Sequence, residues 1–120
     1  MPVRLRPASP DAVAQALANR TPADDKLLTK HFLAVLAERA PGNSVEVRVP
    51  PYAAAQVILG VRHTRGTPPA VIETDAETWI ALATGGLGWD DAISSGRIRA
   101  SGERTDLTAY LPLTDSKDRP

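Results

Sequence analysis

The hydrophobic and polar positions of the 120-residue chain divide it into helical and extended stretches. Residues 11–19 place Val13 and Leu17 four apart. They follow Ser9, a capping side chain, and Pro10, which suits a first helical turn; Asn19 is the expected end. A second start follows at Thr21 and Pro22, with Asp24 and Asp25 in the first turn. From there Leu27, Leu28, Phe32, Val35 and Leu36 recur at helical spacing as far as Pro41-Gly42, which predicts a helix over 22–40. The pattern then alternates. Val45, Val47 and Val49 fall on one face and Glu46 and Arg48 on the other, as in a half-buried strand that Pro50-Pro51 ends. Residues 52–59 are apolar on both faces and predict a more central strand, paired with 44–49 as a hairpin.

After a ten-residue connection, Gly60 to Pro69, residues 70–73 predict a third strand. Thr74 and Glu77 have capping-box spacing, so a helix is expected from Thr74 through Trp79, Ile80, Leu82 and Ala83 to Gly85-Gly86. A short helix is expected from Trp89 to Ser95, ended by Gly96. Arg97 to Ser101 then predicts a strand with Ile98 and Ala100 inward. One or two helical turns follow between Thr105 and Leu111. Residues 1–113 read as one domain and 114–120 as a polar tail.

Composition narrows the chemistry. The chain has no cysteine, which excludes disulfides, thiolate catalysis and Cys-ligated zinc. Two histidines, His31 and His63, do not make a metal centre. Fourteen basic residues balance fourteen acidic ones, so no overall field attracts nucleic acid. No apolar run approaches the ~20 residues of a membrane span, and Met1 to Pro10 lacks the apolar core of a secretory signal. A cytoplasmic domain is the expectation. Ser94, Ser95 and Ser101 stand in no nucleophile-elbow motif, and no nucleophile is placed near His63, so catalysis is not expected. No cofactor is implied.

Charge is nonetheless uneven. Glu73 to Asp91 holds five acids and no base, whereas residues 46–65 hold three arginines and one glutamate. Arg62, His63 and Arg65 lie in one Gly- and Pro-rich stretch. Two readings stand for it: recognition of a carboxylate or phosphate by paired guanidiniums, or ion pairing with the acids of 73–91. Arg97, Arg99 and Arg104 form a second basic group, either a salt-bridged solvated face or a contact for anionic lipid. Trp79 and Trp89 are core residues or the walls of a ligand pocket.

The stretch from Val71 to Leu113 carries a resemblance. Its features are Asp75 at a helix start, Gly85-Gly86-Leu87, Ser95-Gly96, and the strand Arg97-Ile98-Arg99-Ala100-Ser101-Gly102. In order and spacing these resemble the C-terminal half of the sterol carrier protein type 2-like family. The preceding part is similar to small actinobacterial proteins described as sterol carrier family proteins. The resemblance implies an α+β fold, with a twisted, mostly antiparallel sheet of about five strands and helices packed on one face. It also implies an apolar cavity between the layers that binds a lipid or other apolar small molecule without catalysis. Phe32, Leu36, Trp79, Leu82 and Ile93 would line it, with Trp89 beside them, and Arg62, His63 and Arg65 would meet a head group at its mouth. The alternative function is a protein-interaction or oligomerisation module without a cavity. This fold also resembles C-terminal domains of larger enzymes, among them mycothiol-dependent isomerases and acetyltransferases, and a free-standing copy could form a homo-oligomer through a sheet edge.

Overall fold

The structure, a computed structural model, describes residues 5–60, 70–102 and 106–114. Helices α1 (Pro10–Asn19) and α2 (Pro22–Arg39) come first, then strands β1 (Val45–Val49), β2 (Ala53–Val57) and β3 (Ala70–Thr74). Helices α3 (Ala76–Thr84) and α4 (Trp89–Ser94), strand β4 (Ile98–Ser101) and a 3-10 turn (Thr108–Tyr110) complete it.

Local chemistry sets the helix ends. The Ser9 side chain accepts from Ala12 N–H at the start of α1. At α2 the capping is reciprocal: Asp24 N–H donates to Thr21 Oγ1, and Thr21 N–H donates to Asp24 Oδ2. Arg20, between the two helices, is left-handed with φ 55°, and its guanidinium pairs with Asp25 at 2.8 Å.

The strands form one four-stranded sheet in the order β2-β1-β3-β4. The outer pairings are antiparallel and the central β1–β3 pairing is parallel. Val45, Val47, Val49, Val57, Ala70, Ile72, Thr74 and Ile98 are buried, whereas Arg48, Ala54, Gln56 and Arg99 are exposed. This alternation puts the core on one face of the sheet, where α2 packs on β2 and also holds α1 and α3.

Four details depart from the sequence-based expectations. The sheet has four strands among the described residues rather than five; beyond β4, Leu113 N–H donates to Ala83 O of α3 instead of joining a ladder. β2 is an edge strand, not a central one: its small Ala side chains make both faces look apolar without burying them. The α3 cap is Asp75, whose side chain accepts from Thr78 N–H. Thr74 remains in β3 opposite Ile98 and donates its hydroxyl to Arg97 O at 2.8 Å. Ala100, expected inward, is exposed on the outer strand.

Candidate functional site

Four of the expected site residues meet in the core. Phe32 and Leu36 come from α2, Trp79 and Leu82 from α3, and none is more than 1% exposed. At that burial no appreciable part of their surface faces a void wide enough for water, so here the two layers close on side chains rather than on a tunnel. The Trp79 indole N–H donates to Thr29 O of α2 at 3.3 Å, tying α3 to α2. The Thr29 hydroxyl lies in the same region, fully buried and with no hydrogen-bond partner. Trp89, at the start of α4, is buried at the edge of this cluster, while Ile93 on α4 is 40% exposed and points out of it. Arg62, His63 and Arg65 lie outside the described residues. His31 is half-buried; its Nδ1 accepts from Ala8 N–H at 2.9 Å and its ring stands edge-on to Phe32.

Open apolar space occurs elsewhere, in a groove of about 490 Å³ where the C-terminal end of α2 meets the end of β2. Ala40, Pro41, Gly42, Ile58, Leu59 and Tyr110 line it together with Arg39. Its geometry starts at Ile58, which has φ 67°, a left-handed conformation that a β-branched residue rarely adopts. Three bonds hold it there. Ile58 N–H donates to Ala40 O, and Ile58 O accepts from both the N–H and the hydroxyl of Ser44. The kink ends β2 at Val57 and turns Leu59 into solvent, where it is 81% exposed.

Gly42 makes the crossing possible. Its φ is +149°, and a Cβ there would lie 2.2 Å from the Ile58 carbonyl carbon and oxygen. Sequence reasoning reads Gly42 as a helix stop and residues 52–59 as one strand. The only signal for the groove was a large aliphatic pair, Ile58-Leu59, directly before a glycine.

Among the described residues, no group of three or more His, Asp or Glu side chains is placed to hold a metal ion. No helix among them is long and apolar enough to cross a membrane.

No curated protein matches the chain. A family model described as bacterial SCP ortholog matches residues 20–113, which include α2, α3, α4, all four strands and the groove. The chain therefore belongs to this bacterial family of sterol carrier protein-like domains.

Proposed function

We propose that the protein binds a lipid or other apolar small molecule without catalysing a reaction, and that the α2–β2 groove is where the apolar part of the ligand docks. The observation that carries this is the groove itself: apolar lining, about 490 Å³, and an exposed Leu59 held out by a strained backbone. Ligand pockets commonly hold ~300–1,000 Å³. Strain of this kind persists where surrounding bonds over-determine it, and it clusters at ligand-binding segments. Membership of a sterol carrier protein-like family supports the same ligand class. In this reading Phe32, Leu36, Trp79, Leu82 and Trp89 belong to the core cluster that shares Ala40 with the groove, and Ile93 lies outside the groove's lining. Arg62, His63 and Arg65 follow Leu59 by three to six residues and would supply charge to a head group.

The test is a titration of the purified protein with a fluorescent fatty acid whose emission rises in apolar surroundings. A saturable rise at micromolar concentration is expected. A linear, non-saturating response over that range would overturn the proposal.

A further inference from the structure

The opposite end of the sheet carries a second groove of different chemistry. β1 and β3 are parallel neighbours, yet the chain leaves them in opposite directions, from β1 to the outer strand β2 and from β3 through α3 and α4 to β4. Their carboxyl ends therefore diverge, an arrangement that leaves a crevice in open sheets. That crevice is a groove of about 510 Å³ lined by Pro50, Glu73, Thr74, Asp75, Gly96, Arg97 and Arg99. A five-residue strand, roughly 17 Å, separates it from the apolar groove.

Charges of both signs line this groove without forming an ion pair with one another. Glu73 and Arg99 are direct cross-strand partners, yet neither makes an ion pair, and Arg97 makes none either, among the described residues. Arg97 has a fixed backbone and a free side chain. Its carbonyl accepts the Thr74 hydroxyl at 2.8 Å and its N–H donates to Ala92 O at 3.0 Å, while the guanidinium extends from an exposed residue. Gly96 leaves the groove open, since a Cβ there would meet nothing within 4 Å. The α3 N-terminus is already capped by Asp75, so the two guanidiniums are the cationic groups the groove offers to an anion. Glu73 and Asp75 oppose a bare anion and favour one that carries its own positive charge.

We propose that this groove binds a small dipolar molecule. An oxyanion would lie on Arg97 and Arg99, and an ammonium would face Glu73 and Asp75. Guanidiniums form charge-assisted, bidentate bonds to phosphate and carboxylate, and the cation offsets the repulsion from the two acids. The site is separate from the apolar groove and does not depend on that groove's function.

The probe is O-phosphoethanolamine, followed by amide chemical shifts of the labelled full chain, with inorganic phosphate and ethanolamine as separate controls. Saturable shifts are expected at residues 73–75 and 96–99, with phosphate and ethanolamine each roughly tenfold weaker or worse. Arg97→Gln and Arg99→Gln should each weaken binding by about tenfold, and Glu73→Gln should abolish the preference over phosphate. Vesicles containing phosphatidylethanolamine tell the source. Sedimentation with them, lost in Arg97→Gln, identifies a lipid head group; binding of the free probe alone identifies a soluble ligand, and either supports the site. Phosphate binding as tightly as the dipolar probe, or wild-type shifts absent from these residues, would overturn it.

Discussion

Two buried threonines allow one substitution to be tested with opposite expected signs. Thr29 is 0% exposed and its hydroxyl has no partner, whereas Thr74 is 5% exposed and donates to Arg97 O at 2.8 Å. A buried polar group left without a partner costs ~1–3 kcal/mol, while a made hydrogen bond contributes a net ~0.5–1.5 kcal/mol. Valine has the shape of threonine with a methyl in place of the hydroxyl, and the two have similar helix propensity. Thr29→Val removes the desolvation cost and buries a methyl worth ~0.8 kcal/mol, less some crowding in a filled core. The expected net is a gain of about 1–2 kcal/mol. Thr74→Val loses its bond and leaves the Arg97 carbonyl short of a donor, an expected loss of about 1 kcal/mol. Urea unfolding followed by circular dichroism would show the midpoint rising for Thr29→Val and falling for Thr74→Val, with the slope unchanged in both. A destabilised Thr29→Val protein would refute the reasoning, because it would mean that the hydroxyl is satisfied.

Gly42→Ala should destabilise the protein by about 3 kcal/mol or more, since its Cβ would overlap the Ile58 backbone and the conformation at +149° is unfavourable for alanine; thermal unfolding checks this, and a near-neutral effect would contradict the crossing. Leu59→Asp should change stability by no more than about 0.5 kcal/mol, because the side chain is 81% exposed. The same variant should weaken fatty-acid binding by about tenfold or more, since a charge at that position must be desolvated against the ligand. The α2 cap should respond to acid. The Thr21 hydroxyl, and then the Thr21 N–H, hold the Asp24 carboxyl below its usual 3.8. Its folded value is the lower one, so the cap's contribution is complete above the unfolded value and is lost as pH falls through the folded value. Amide exchange in the first turn of α2, corrected for its intrinsic pH dependence, should show no loss of protection down to pH 4 and a loss only below that; fraying at pH 5 would argue against the bond.

The helices were legible because their signals are local. Ser9-Pro10, Thr21-Pro22 and Gly85 act within one turn of chain, and α1 and α2 begin where those residues stand. The strands at 44–49 and 97–101 were legible from alternation, 52–59 from an apolar run after Pro50-Pro51, and 70–73 from a short apolar stretch after Pro69. Strand order was not, because nothing in the run AAAQV distinguishes an edge from a centre when its side chains are methyl groups. Thr74 and Asp75 offer two overlapping caps, and pairing of β3 with β4, 23 residues away, assigns the cap to Asp75. The core residues Phe32, Leu36, Trp79 and Leu82 followed from helical spacing, whereas the closure of the layers upon them is a matter of packing that spacing does not encode. Both grooves are assembled from distant segments, Ala40 with Ile58 and Tyr110 in one, Pro50 with Glu73 and Arg97 in the other. Beforehand only a part of each could be seen: an apolar run ending in Ile58-Leu59, read as a central strand, and an arginine cluster.

The central claim is that an apolar ligand docks at the α2–β2 groove. It is tested most directly by residue-resolved amide shifts during titration of the labelled chain with a medium-chain fatty acid below its micellar concentration. The account expects saturable shifts centred on Ala40, Gly42, Ile58, Leu59 and Tyr110, which line the groove. Shifts that leave these residues unmoved while the ligand binds elsewhere, or no saturable shift at all, would contradict it.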